Sequence, residues 1–167
     1  PTKTTNLYLQ YLGVWIILQI AMVVIHSSPV LTGELMGPDS YMRMVRVQEL
    51  LTHWDWHNSG IPRSNAPYGD NLHWTRPFDI LLLIIGAPIA LFAGWHEALF
   101  WAGAIVSPLL LLLCGFALIW AITPVSRPNS WLLPAIAILI QPGILAYAVL
   151  GRADHHIFLL LLFILSI

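Results

Sequence analysis

Residues Ala98–Ile122, ALFWAGAIVSPLLLLLCGFALIWAI, run for 25 positions without a charged side chain. A helix that crosses the hydrocarbon core of a bilayer needs about 20 such residues, so this stretch spans with a turn to spare. Trp101 and Trp120 stand near its two ends, where an indole ring favours the boundary between acyl chains and headgroups. The composition agrees. Of 167 residues, 58% are hydrophobic and 9% are charged, whereas a soluble domain carries about 25% charge. Seven Lys and Arg against eight Asp and Glu leave no basic field for nucleic acid. The one cysteine, Cys114, excludes an intrachain disulfide framework and a cysteine zinc cluster.

Moving outward, Trp131–Leu150 forms a second apolar stretch, interrupted by Pro134 and by Gln141-Pro142-Gly143. After His156 the run Ile157–Ile167 opens a further one, too short to cross; the chain therefore reads as the N-terminal portion of a larger membrane protein. On the other side lies Phe78–Gly94, with Asp79 at its start and Gly86 and Pro88 in its middle. Leu7–Ile25 is another uncharged stretch of spanning length, preceded by Lys3 and by Pro1, a start that methionine removal would expose. The alternative is a cleaved signal peptide with Ser27-Ser28 near the processing site, although the run exceeds the usual h-region of about 7–15 residues. The expected fold is all-α: a polytopic transmembrane helical bundle with spans at 7–25, 98–122, 131–150 and 156–167 onward.

Residues 28–77 differ in character. They hold nine of the fifteen Asp, Glu, Lys and Arg: Glu34, Asp39, Arg43, Arg46, Glu49, Asp55, Arg63, Asp70 and Arg76. A connection of some fifty residues is too long to be passive, and long loops carry function. Within it, Gly37-Pro38-Asp39 ahead of Ser40–Leu51 predicts a helix with Asp39 at the N-cap. Gly60–Pro77, rich in Gly, Pro, Asn and Asp, reads as irregular.

Chemistry concentrates in two places. One is Gly37-Pro38-Asp39-Ser40-Tyr41, after the first span. The other is Gly151-Arg152-Ala153-Asp154-His155-His156, wedged between apolar runs. Ionisable groups there are costly unless paired, metal-bound or hydrated. An Asp-x-His triplet brings a carboxylate and an imidazole to one divalent ion, and Asp39 could complete the set. Asp39 and Asp154 also suit plain helix caps, and His26 with His155 or His156 would be the pair for a bis-histidine haem.

Taken in order, Pro38-Asp39-Ser40-Tyr41-Met42-Arg43, Tyr68-Gly69, Trp74-Thr75-Arg76-Pro77-Phe78-Asp79, Gln141-Pro142-Gly143 and Asp154-His155-His156 resemble the N-terminal part of oligosaccharyltransferase catalytic subunits. These belong to the GT-C class of membrane glycosyltransferases, and the archaeal and bacterial single-subunit forms are the nearest likeness. The resemblance implies a catalytic aspartate at Asp39 and a divalent ion, Mg or Mn, on Asp39, Asp154 and His156, with His155 as a neighbour. It implies a polyprenyl-linked sugar donor and a protein or lipid acceptor on the external face of the plasma (inner) membrane. Arg43 and Arg46, three apart on the predicted helix, and Arg152 would contact the donor phosphate; pairing of Arg43 and Arg46 with Glu49 or lipid headgroups is the alternative. Other membrane subunits are possible partners besides the membrane lipid; a non-catalytic subunit of a larger complex is the alternative. The glutamate and Trp-Trp-Asp motif that the family carries further on would fall after Ile167.

A shared ion also constrains topology. Asp39 and Asp154 must lie on one side, so an even number of crossings separates them. The expectation is that Phe78–Gly94 lies along or dips into the external face within a long external loop, 28–97. Ala98–Ile122 and Trp131–Leu150 then cross, and Thr123–Ser130, with Arg127, faces the cytoplasm beside Lys3.

Overall fold

A computed structural model describes residues 3–26, 29–58, 60–62, 64–125, 130 and 132–167. The expected processing pair Ser27-Ser28 and the cytoplasmic Arg127 lie outside the described residues, as does the His26 side chain. The protein is mostly helical. In chain order it contains α1 (Lys3–His26), a 3-10 turn (Pro29–Thr32), α2 (Pro38–His53), β1 (Gly60–Ile61), β2 (Asp70–Asn71), α3 (Pro77–Ile122), α4 (Leu132–Ile140), α5 (Pro142–Leu145) and α6 (His156–Leu165). The strands pair antiparallel, Gly60 with Asn71 and Ile61 with Asp70.

Among the described residues, two helical stretches are long and apolar enough to cross a membrane, Asn6–Ile25 and Pro77–Ile122. Much of α1 is open: Ile17, Ile20, Val24 and Ile25 are all exposed. So large an apolar surface suits contact with lipid or with further protein.

The 46 residues of α3 are not one rod. Gly94 has φ of 77°, a left-handed value inside the helix, and the absence of a Cβ is what lets the chain adopt it. There the helix doubles back. A Cβ built on Gly86 would lie 3.4 Å from the Ala98 carbonyl oxygen and 3.7 Å from the Ala102 Cβ, whereas sixteen residues of straight helix cover about 24 Å. The limbs 77–93 and 95–122 are therefore antiparallel. The sequence bounded the first stretch at Gly94, where the chain does turn, whereas Gly86 and Pro88 in its middle leave the helix unbroken.

The second limb is the axis of the core. Leu110, Leu111, Cys114 and Ile119 are buried along it together with Leu82 of the first limb and Leu139 of α4. Tyr11 donates its hydroxyl to the Leu111 carbonyl at 3.1 Å and Trp15 donates its indole N–H to the Pro108 carbonyl at 3.1 Å. Rising numbers on α1 thus meet falling numbers on α3, so the two run antiparallel.

Gly115 is what lets α1 come so close. A methyl group at that position would overlap the Tyr11 ring, the close approach that small residues permit between membrane helices. Gly115→Ala should therefore lower stability by about 1–3 kcal/mol through overpacking. A thermal unfolding series in detergent checks it, and an unchanged midpoint would mean that α1 does not pack here.

Two expected boundaries also change. The N-cap of α2 is Gly37, Pro38 takes the first helical position, and Asp39 sits in the first turn with no side-chain cap bond. Proline is preorganised for that first position and lacks only an N–H the helix cannot use there. The expected stretch Trp131–Leu150 is not one helix. It breaks at Gln141, which is extended, and α5 ends at Leu145.

Candidate metal centre

The centre is assembled on the second limb of α3 by a buried backbone acceptor that the helix itself leaves free. Pro108 has no N–H to return to the Ala104 carbonyl, so one ladder bond inside the helix is missing. The Gly151 N–H occupies that carbonyl at 2.8 Å, and the Gly151 carbonyl in turn accepts from Met36 N–H at 2.8 Å. Ser107 donates to the Arg152 carbonyl. Ser40, fully buried, donates to the Met36 carbonyl at 2.6 Å and accepts from Ala153 N–H at 2.9 Å. These bonds lash the start of α2 to residues 151–153. The two acidic motifs of the sequence meet at one end of the fold.

At Asp154 the chain turns into α6. Its carboxylate is 3% exposed. Oδ1 accepts from His156 Nδ1 at 2.7 Å and lies 3.0 Å from His155 Nδ1. Oδ2 has no hydrogen-bond partner, Arg152 Nε being 3.7 Å away. His156 stacks on Tyr147 with ring centres 4.2 Å apart, and the Arg152 guanidinium sits over the same tyrosine. Burial pushes the Asp154 carboxyl upward, but the His156 hydrogen bond and the charges of His156 and His155 outweigh it and hold it below the usual range. His155 is shifted down, by burial first and by the Arg43 charge second. Carboxylate and neutral imidazole are the forms a metal ligand needs.

Behind the centre lies a second charged group. Asp79, with 0% exposure, pairs with Arg43 at 3.3 Å, Arg46 at 2.7 Å and Arg76 at 3.2 Å. Arg43 and Arg46 are only 3% and 5% exposed. Arg46 also donates to the Trp74 carbonyl at 2.6 Å, and the Arg43 guanidinium lies 4.0 Å over the Trp74 ring. Burial lowers the Arg43 pKa, with Asp79 opposing it. Arg43 joins the two groups: its Nη2 lies 3.4 Å from His155 Nδ1. That nitrogen cannot accept from Arg43 and donate to Asp154 at once. If it accepts, its lone pair faces a carboxylate oxygen, an arrangement that a cation between them would relieve.

The residue types therefore fit a divalent ion. Asp154, His155 and His156 each offer a ligand atom, all within 4.8 Å of one another, and the orphaned Oδ2 adds an acceptor. Asp39 is not among that group; it is exposed on the first turn of α2, one residue before the serine that holds Ala153. Arg43 and Arg152 flank the centre, while Arg46 turns toward Asp79. Asp79 as a binding partner was not read from the sequence. Its spacing of three from Arg76, at the mouth of an apolar run, was the available signal.

No protein-family model matches the chain, and no solved structure matches it. Over 134 residues it is 32% identical to Dolichyl-phosphooligosaccharide-protein glycotransferase 2 of Archaeoglobus fulgidus. The alignment covers 78% of this chain and 21% of that protein. The chain thus spans about a fifth of the length of that relative, and the two apolar helices point to a membrane protein.

Proposed function

We propose that the chain is part of a GT-C-type membrane glycosyltransferase, which passes a sugar or oligosaccharide from a polyprenyl-phosphate-type donor to an acceptor on the external face of the membrane. The buried Asp154 carboxylate, clasped by two imidazoles yet with one oxygen unpartnered, is the observation that carries this reading. Asp154, His155 and His156 would hold a divalent ion, Mg or Mn. Such an ion supplies electrostatic stabilisation of the negative charge that gathers on a departing phosphate, without proton transfer.

The chain's own groups do the rest. Arg43 and Arg152 place guanidinium charge beside the centre, and planar forks of this kind suit phosphate oxygens. Trp74 and Phe78 pin Arg43 from its faces, so its orientation is fixed before a donor arrives. Asp39, exposed and adjacent, is placed to orient or deprotonate an acceptor. Replacement of Asp154 by alanine, assayed for sugar transfer, tests this reading.

The same proposal fixes topology. The limb 77–93 belongs to the external face, the limb 95–122 descends across the membrane, and α4 with α5 returns. In intact cells, Glu97→Cys should then react with an impermeant thiol reagent, while Val125→Cys stays protected until the membrane is opened. Labelling of Val125→Cys from outside would put the turn after α3 on the wrong face and overturn this topology.

A further inference from the structure

The Asp154 centre combines the ligand types of a cation site with the charge surroundings of an anion site. Among the described residues, four guanidiniums, those of Arg43, Arg46, Arg76 and Arg152, share two carboxylates, Asp79 and Asp154. Both carboxylates are buried, and so are Arg43 and Arg46, so salt and water screen the imbalance weakly. A divalent ion on Asp154, His155 and His156 would add to the excess of positive charge.

Arg43 is the arginine that reaches from the Asp79 group into the centre. Its Nη1 pairs with Asp79 at 3.3 Å, while its Nη2 lies 3.4 Å from His155 Nδ1, itself 3.0 Å from Asp154 Oδ1. Nor is the guanidinium free to swing aside. The Trp74 ring centre lies 4.0 Å from its carbon and the Phe78 ring centre 5.2 Å, and aromatic faces attract a cation placed over them. Asp79, for its part, does not depend on Arg43 alone: Arg46 reaches the same carboxylate at 2.7 Å and Arg76 at 3.2 Å. A third guanidinium is thus fixed beside the imidazole that a cation would use.

We propose that Arg43 holds down the affinity of the Asp154 centre for its divalent ion, so that the ion binds tightly only beside an anion that takes up the guanidinium charge. Like charges a few ångströms apart in a poorly hydrated place oppose each other strongly, and a pinned guanidinium keeps that opposition in force. A phosphate oxyanion relieves it from both sides, since its oxygens suit the planar donors of Arg43 and also a hard divalent cation. Linkage then requires that ion and anion raise each other's affinity by the same factor. In the transfer reaction proposed above, on which this inference rests, the ion is taken up together with the phosphate-bearing donor rather than before it. The empty centre discriminates against stray divalent cations.

The test measures binding of Mn, with no transfer step. Free Mn is followed by electron paramagnetic resonance against the full-length protein in nanodiscs of zwitterionic phosphatidylcholine. Dimethyl phosphate serves as the anion, because a singly charged diester holds Mn weakly in free solution. It should tighten Mn binding to the unaltered protein about tenfold, a common size for coupling between two ligands. Arg43→Gln should bind Mn about tenfold more tightly without anion and lose the response to dimethyl phosphate. Arg43→Lys keeps the charge and should stay weak and responsive. Asp154→Ala should bind Mn in neither condition, which assigns the signal to this centre. A folded Arg43→Gln protein that binds Mn no more tightly than the unaltered one overturns the inference. So does an unaltered protein whose Mn affinity ignores dimethyl phosphate, a result that needs no variant. Loss of transfer in Asp154→Ala together with an anion-independent Mn affinity would keep the glycosyltransferase reading and remove this one.

Discussion

Replacing Asp154 by alanine is expected to lower glycosyl transfer by at least about a hundredfold to a thousandfold, the scale of losing one element of electrostatic stabilisation at a reacting phosphate. The carboxylate is the only group in the centre that touches both imidazoles, so its loss removes a ligand and frees the other two. Asp154→Asn keeps the shape and should fall nearly as far, because an amide oxygen is a poor substitute for an anionic ligand. The measurement is transfer from a synthetic polyprenyl-diphosphate donor by the full-length protein, with and without chelator and with Mg or Mn restored. Chelation should silence the unaltered protein and make no further difference to Asp154→Ala. Full activity in Asp154→Ala would take Asp154 out of the reaction, and absence of transfer by the unaltered protein would favour a non-catalytic subunit that retains the fold.

The second large effect lies at Asp79. One buried carboxylate serves three guanidiniums, two of them buried themselves. Removing one member of such a group leaves uncompensated charge in a poorly hydrated place, at a cost of about 3–5 kcal/mol. Total stability is itself only about 5–15 kcal/mol, so Asp79→Ala should fail to accumulate in the membrane, and what is extracted should unfold at a much lower temperature. Asp79→Asn keeps the volume and loses the charge, and should be nearly as damaging. Asp79→Glu should recover part of the loss. Accumulation and thermal midpoint of Asp79→Ala equal to the unaltered protein would mean that the arginines find other anions, such as lipid phosphates, and that the carboxylate does not organise the loop.

What could be read in the sequence follows from the range over which each feature is encoded. The apolar run 7–25 needs no partner to declare itself, and the helix after Gly37 is written in Pro38 and the spacing that follows. Its cap was misassigned by two residues, because Asp39 satisfies the same local preference whether it sits at the cap or in the first turn. The turn between 77–93 and 95–122 was legible at Gly94, but Gly86 and Pro88, the most disruptive local pair, do not break the first limb. The glycine is held there by close packing against Ala98 and Ala102, which no local rule contains. At the centre, Asp154 with its two histidines was legible as contiguous chemistry. The Asp79 group was not: its arginines come from α2 and from the residue before α3, and a separation of 36 positions between Arg43 and Asp79 leaves no periodic trace.

The Pro108 carbonyl ladder has a meaning for divergence. Gly151 N–H to Ala104, and Met36 N–H to Gly151, are main-chain bonds, so the tether itself asks for no particular side chain at residue 36. The constrained positions are the proline that vacates the acceptor, the fully buried Ala104, and Gly151, whose φ of 89° and close approach to Val30 leave no room for a side chain. Lineages of this chain can thus rewrite the walls around the Asp154 turn, and with them the ligand preferences of the surface, while the turn itself stays in register with the helix beneath it.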